Sequence, residues 1–465
     1  MTSNTKRPKH NNPKKWILNG FVMNTPGLQN PGLWSHPNDQ GKNYKTIKYW
    51  TDLAKKLEDA NFTSLFIADV LGPYDVFGGP GNFSSPAIGA GQLPVNDPSL
   101  IVPVMASVTK SIGFGITIST TYEHPYDLSR RLSTLDHLTE GRIAWNVVTS
   151  YLESAAKGHG LNEQIDKSIR YERANEYLEV IYKLLEGSWK DDAVILDTTR
   201  NIYADPTKIK SIHHKGKHFT IDGIHISEPS KQRTPVIFQA GLSNDGKKLA
   251  AKHAEGVFVS GISPESVRLN VDDIKKLAVE YDRDPDSIKF VFGVLIVVDE
   301  TDAKAWSKFE SYKQYANIEG ALALIGGWMG LDLSPFPDDI DLRTVGGDVG
   351  KFFNKRSPNS PISKLEFALE VSVGGSPKII GSYETVANEL ERYIDIGGVD
   401  GFNLKYSIVP GSFDDIIEWL LPELRKRGHF DSNYPVPEGT LRENLSRIEG
   451  NTHLPSDHPG YKFKW

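Results

Sequence analysis

Polar residues collect at the ends of apolar, strand-like runs in this chain of 465 residues. Asp69 closes one run, and Thr117, Ser119, Thr120, Thr121, Tyr122, Glu123 and His124 end another. Asn146, Thr149 and Ser150 end a third, and Gln239 with Gly241, Leu242 and Ser243 a fourth. A single strand end carries turn and cap residues in any case, but four on one rim form a ring that could hold a cofactor. In Gly241-Leu242-Ser243-Asn244 the glycine permits a tight turn, and Ser243 can cap the helix that follows. Free amides at that helix start would attract an anion such as a phosphate, although an ordinary N-cap has the same sequence. Asp69 is either a carboxylate for a cofactor's edge or a capping and turn residue. His124, which precedes Pro125, could hydrogen-bond a bound group or a loop carbonyl.

Other chemistries find no support. There is no cysteine, which excludes disulfides, thiolate catalysis and zinc–cysteine sites and suits a reducing, cytoplasmic compartment. No phosphate-binding lysine loop and no His-Glu-x-x-His helix occurs. Gly79-Pro-Gly81-Asn-Phe-Ser84 misses a dinucleotide fingerprint and reads as a flexible loop that opens no helix. His213, His214 and His218 could suggest a metal, but they lie beside a lysine-rich hairpin and read as solvated surface, so no metal is expected. A net charge of -6 does not point to a nucleic acid. No apolar run reaches the roughly 18 residues of a membrane span. Residues 1–15 are basic and polar without a secretory apolar core, and are expected to be a flexible tail.

The elements that would position the ring alternate. Strand-like runs fall at 16–22, 63–68, 112–120, 142–148, 235–239, 256–260, 288–298 and 401–406. Helix-period segments separate them: 44–60, with Ile47, Trp50, Leu53, Leu57 and Ala60 on one face, then 98–110, 125–138, 170–186, 244–254, 264–281, one from 302, 384–396 and 413–427. A small hairpin is expected at 218–225. Eight strands each followed by a helix is the count of a TIM (β/α)8 barrel, with a doubly wound sheet as the alternative. Three long segments, 70–97, 151–169 and the irregular Gly-, Pro- and Asp-rich 318–381, follow strands. In a barrel they would gather as insertions at the C-terminal face, where active sites lie. One barrel domain is expected over 16–440, with 441–465 as a C-terminal extension.

Longer motifs sharpen this. Phe66-Ile-Ala-Asp-Val70, Pro94-Val-Asn-Asp-Pro98, Ser119-Thr-Thr-Tyr-Glu-His-Pro-Tyr126, Ser133-Thr-Leu-Asp-His-Leu-Thr139, Gly141-Arg-Ile-Ala-Trp-Asn-Val-Val-Thr-Ser150, Arg170-Tyr171, Gln239-Ala-Gly241 with Ser243, and Asp400-Gly-Phe-Asn403 resemble the bacterial-luciferase-like flavin monooxygenases. The likeness runs from about residue 17 to 439. It lies in the branch of nitrilotriacetate and dibenzothiophene-sulfone monooxygenases, nearest the members that oxidise long-chain alkanes.

The resemblance implies a TIM barrel that receives reduced FMN from a separate NAD(P)H:flavin reductase. With dioxygen, through a C4a-peroxyflavin, it would oxygenate a small alkane-like, C–S or C–N substrate. It implies FMN contacts at Asp69, Thr117, Asn146, Ser150, Tyr151, Tyr171, Ala240, Gly241, Leu242 and Ser243. His124, Tyr74 and Gln92 would position the activated oxygen, and a homodimer or homotetramer is expected. A flavin-binding protein without turnover and a deazaflavin-dependent dehydrogenase on the same barrel are the alternatives. Tyr74 and Gln92 match the alkane-oxidising members. Thr25 stands where those carry cysteine, and Leu28 and Tyr151 where they carry histidine. Residues 320–324, ending at Leu324, are apolar where histidines occur, and Lys167 stands where the wider family usually has histidine. The resemblance thus keeps the cofactor half of the site and changes the substrate half.

Overall fold

The computed structural model describes residues 13–357, 360–375 and 377–465. Eight parallel strands close on themselves: β1 (Ile17–Met23), β2 (Ser64–Ala68), β3 (Gly113–Ser119), β4 (Ile143–Val148), β5 (Val236–Gln239), β6 (Gly256–Val259), β7 (Lys289–Asp299) and β8 (Gly401–Lys405). Each strand pairs with the next in the chain, and β8 returns to β1 with Asn19 opposite Asn403. The ring is therefore a TIM barrel and not an open doubly wound sheet. All eight strands lie within two residues of the sequence positions, because short runs buried on both faces need apolar residues at every position.

Inside the barrel, Ile17, Ala144, Val236 and Val291 fill the N-terminal end, and Phe21, Phe66, Phe238 and Phe258 pack above them. Gly115 and Gly256 make room for the aromatic layer: a Cβ there would stand 2.5 Å from the Phe66 ring and 2.2 Å from the Phe238 ring. Between the layers Ser64 Oγ donates to Asn19 Oδ1 (2.9 Å), and Asn19 Nδ2 donates to Asn403 Oδ1 (2.8 Å), so this buried polar set is satisfied.

The helices are α1 (Ile47–Asp59), α2 (Ser84–Gly89), α3 (Val102–Ala106), α4 (Pro125–Leu138), α5 (Glu153–Gly158), α6 (Lys167–Gly187), α7 (Asn244–His253), α8 (Pro264–Glu280), α9 (Asp302–Tyr312), α10 (Ile318–Met329), α11 (Gly347–Arg356), α12 (Lys364–Ser372) and α13 (Tyr383–Asp395). Residues 411–426 complete the layer, with a π turn at Ile416–Leu420. Trp50, Leu53, Ala54 and Leu57 form the buried face of α1, and Thr46 caps it by accepting from the Tyr49 amide. Ile47, in the first turn, stays exposed.

Several expectations need correction. The loop at 79–84 does open a helix, the short α2. The helix expected at 98–110 is broken into a 3-10 turn, Pro98–Leu100, and α3, with prolines opening both. The hairpin pairs Ile212–Lys215 with Thr220–Gly223, and a second hairpin joins Val194–Asp197 to Ile202–Ala204. His214 is buried and bonds Glu176 at 3.0 Å, while His218 bonds Glu172 at 3.0 Å; they are partners of α6 and not solvated surface. Residues 318–381 are not irregular. They hold α10 to α12 and most of the strand Lys378–Ser382, which extends the sheet along the far half of β7. Helix α10 is buried on nearly every face from Gly320 to Gly327 and so shows no amphipathic period, but Asn317 caps it and a Ser363–Glu366 capping box opens α12.

The last 25 residues, the expected extension, pack against the barrel. Leu441, from the helix Leu441–Ser446, packs into the N-terminal mouth, where a Cβ on Gly113 would stand 2.5 Å from it. Arg442 makes a two-pronged pair with Glu255 (2.7 and 2.9 Å) and donates to the Thr234 and Thr452 carbonyls. Of the expected tail, residues 1–12 lie outside the described residues. Lys14 and Lys15 are anchored by ion pairs to Asp400 and Asp431.

Candidate active site at the C-terminal mouth

The C-terminal ends of β2 to β5 surround a cavity of about 470 Å3. Its polar end is built by three elements. Past β4 the chain turns sharply at Ser150 (φ 55°), whose hydroxyl donates to Ser119 Oγ at 2.8 Å. Thr121 Oγ1 donates to the Thr149 carbonyl at 2.6 Å and fixes the same turn. Helix α6 sends Lys167, Arg170 and Tyr171 into the cavity from its first turns. After β5, Ala240 and Gly241 line the wall, and Ser243 caps α7 by accepting from the Gly246 amide at 3.3 Å. Gly241 is needed for the close approach: a Cβ there would lie 2.5 Å from the Tyr171 hydroxyl and 2.7 Å from Gln239 Nε2.

Val70, Leu71, Leu152 and Trp328 supply the apolar walls. Trp328 arrives from α10 and donates from Nε1 to the Tyr74 hydroxyl at 3.3 Å, and that hydroxyl is 2.8 Å from the hydroxyl of Tyr151. This chain of aromatic groups joins all three insertions over the cavity. Leu324 packs below it with Tyr74, Leu152 and Ala155.

A second arm of about 730 Å3 opens beside the first and shares Asp69, Val70, Leu71, Thr117 and Ser119 with it. Gln92, Asp97, Glu123, Arg131 and a stacked Tyr122–His159 pair (ring centroids 3.9 Å apart) also line it. Burial, aided by the charge of Asp97 and opposed by the Val70 amide, pushes Asp69 up to about 7. Burial also raises Glu123, against the pull of Arg131, and lowers Arg170.

Of the sequence-derived residues, Asp69, Thr117, Ser150, Tyr151, Tyr171, Ala240 and Gly241 line the first arm, and Gln92 lines the second, where it donates to the Leu28 carbonyl. Asn146 stands just below, donating to Thr117 Oγ1 at 2.9 Å. Tyr74 is buried behind Tyr151. Leu242 and Ser243 lie past the lining, Ser243 as a helix cap. His124 lines neither arm: it is exposed, caps α4 by accepting from the Tyr126 amide, and meets the Phe219 ring edge-on. Thr25 and Leu28 are buried. Ser119 and Gln239, from the strand-end ring, line the cavity too, whereas sequence reasoning did not single out Lys167, Arg170, His159 or Trp328 as site residues. Arg170 adjoins Tyr171 in a quoted motif and could have been included; Trp328, in a distant insertion, gave no signal.

Polar atoms around this mouth await partners. Asn146 Oδ1, Gln239 Oε1 and Arg170 Nε are buried without a hydrogen bond. A cavity with a cationic, hydroxyl-rich end and apolar walls fits a ligand with a phosphate at one end and a flat apolar ring at the other. Residues 31–400 match the model of the family described as luciferase-like monooxygenase. This chain belongs to that family.

Two relatives extend the match. The long-chain alkane monooxygenase of Geobacillus thermodenitrificans (strain NG80-2) is 46% identical over 97% of this chain and 98% of its own. The dimethyl-sulfide monooxygenase of Hyphomicrobium sulfonivorans is 44% identical over 97% of this chain and 94% of its own. Two crystal structures superpose over 97% of this chain. DmoA from Hyphomicrobium sulfonivorans does so with a TM-score of 0.92 and 44% identity over 96% of its length. A riboflavin lyase, solved with modified FMN and riboflavin, gives 0.88 and 31% over 100% of its length. The luciferase-like protein described here is a flavin-dependent monooxygenase acting with dioxygen on a small molecule. The readings as a flavin binder without turnover or a deazaflavin dehydrogenase are not favoured. Among the described residues, no helix is long and apolar enough to cross a membrane.

Proposed function

We propose that this protein is the oxygenase component of a two-component system. It takes FMNH2 from a separate NAD(P)H:flavin reductase and oxygenates an uncharged alkane or thioether. The observation that carries the FMN reading is the polar end of the first arm, where Ser150, Lys167, Arg170, Tyr171 and the Gly241 turn converge. Cations and hydroxyls there suit a terminal phosphate, and the α7 N-terminus beyond Gly241 adds a favourable dipole. Asp69, Thr117 and Asn146 face the ring end, and Val70, Leu71 and Trp328 exclude water from it.

Bound reduced flavin supplies the two electrons that activate dioxygen. The chain's part is to hold the phosphate, keep the ring end dry and admit substrate from the second arm. Tyr74, held between Tyr151 and Trp328, and Gln92 position the reacting groups. The names of the two relatives support the substrate class. The test is reconstitution with a flavin reductase, NADH and dioxygen on a panel of alkanes, thioethers, aromatic sulfones and aminocarboxylates. Coupled product from the first two classes is expected. Peroxide release without product across the panel would refute the reading.

A further inference from the structure

Five residues line both arms: Asp69, Val70, Leu71, Thr117 and Ser119. Four cannot ionise near neutral pH, so Asp69 is the titratable group at the junction. Its surroundings are asymmetric. On the first arm stand Lys167, Arg170 and the Tyr151 and Tyr171 phenols. On the second stand Asp97, the Glu123–Arg131 pair and His159. The Val70 amide bonds Asp69, and the field of Asp97 opposes ionisation. The carboxyl is half-buried at the end of β2, where a proton held at neutral pH reaches both arms.

We propose that Asp69 is the proton donor of the oxygenation, serving the oxygen atom that is not transferred to substrate. This rests on the functional reading above. The overall balance is substrate, dioxygen and reduced flavin going to oxygenated substrate, water and oxidised flavin. The Asp69 O–H bond breaks, and its proton goes to the oxygen that leaves as water. The carboxylate recovers a proton from the two hydrogens that reduced flavin contributes, so Asp69 ends each cycle as it began. A group ionising near 7 suits a proton donor at neutral pH.

The test has two readouts. The first is infrared titration of the flavin-free protein, taking wild type minus Asp69→Asn. A protonated-carboxyl band lost with a midpoint near 7 is expected. Asp97→Asn keeps the cap on Ser99 but removes the like charge, and should move that midpoint to lower pH. The second is single-turnover oxygenation of an alkane or thioether by bound FMNH2 and dioxygen, followed by product formed. Its rate should fall as pH rises through 7 in wild type and be at least about 10-fold slower and flat in Asp69→Asn. A missing carboxyl band, an unmoved midpoint in Asp97→Asn, or an alkaline limb that survives in Asp69→Asn overturns the proposal. Failure of the functional reading looks different: no flavin bound at any pH, or no oxygenated product from any substrate while the infrared midpoints behave as described.

Discussion

Two buried arginines at the N-terminal mouth of the barrel, Arg442 and Arg142, have partners for every guanidinium nitrogen, whereas at the C-terminal mouth Arg170 Nε has none. Arg442 spends all three guanidinium nitrogens on Glu255, Thr234 and Thr452. Arg142 makes five hydrogen bonds to the backbone and hydroxyl of the segment entering β3 and to its own loop. Leu441 fills the opening. Across the barrel, Asn146 Oδ1, Gln239 Oε1 and Arg170 Nε stay unpaired, and Ser150 and Gln92 hold positive φ. Arg170 and Gln239 line the cavity, where a bound ligand can satisfy atoms that otherwise cost stability. One mouth serves the fold, the other the flavin, so substitutions should separate cleanly.

The largest effect is expected at the N-terminal mouth. Arg442→Met leaves Glu255 buried without its partner and should cost about 3–5 kcal/mol in chemical denaturation. The flavin affinity of the folded fraction should stay at the wild-type value. A large fall in affinity would break the division between the two mouths.

Acid sensitivity belongs to the same mouth. Burial lowers His458 to about 4, and its Nε2 donates to the His253 carbonyl at 2.8 Å. The folded state resists protonation that the unfolded chain accepts near 6.5. Stability from this group is therefore full above about 6.5 and is lost as pH falls toward 4, a change on the order of 3 kcal/mol. Denaturation midpoints against pH should show this slope, and His458→Gln should make it shallower, the remainder coming from His225 and His253, which burial also lowers.

At the open mouth the sign reverses. Arg170→Gln should weaken FMNH2 binding by about 10- to 100-fold in anaerobic titration, since a hydrogen bond to a charged group is worth about 1.5–3 kcal/mol. The denaturation midpoint should hardly move. The smallest effect is at Ser243→Ala, which removes the α7 cap at about 1 kcal/mol. If FMN affinity falls by much more than tenfold as well, Ser243 holds the phosphate and is more than a cap.

Much of the barrel was legible because each strand is a short apolar run and each helix between them has a 3.6-residue period. The closing of the N-terminal mouth was not, since Leu441 and Arg442 come from a segment with no strand signal and act only through tertiary contact. Residues 318–381 misled through composition: α10 is apolar all round and so has no amphipathic period, and its glycines serve close packing. A Cβ on Gly327 would meet Tyr74 at 2.0 Å. In the site, strand-end residues such as Asp69, Thr117 and Gln239 could be placed by strand ends alone. Trp328 and His159 could not, because each reaches its arm from an insertion whose path the local sequence does not encode. His124 misled for a physical reason: a residue before Pro125 at a helix start serves as a cap, and its ring turns outward to Phe219.

The division between the mouths is tested most directly by a crystal structure with FMN bound. The phosphate is expected among Ser150, Arg170, Tyr171 and the Gly241 turn, with the ring reaching Asp69 and Asn146. Flavin bound elsewhere, or Arg170 Nε and Gln239 Oε1 still without partners beside it, would contradict it.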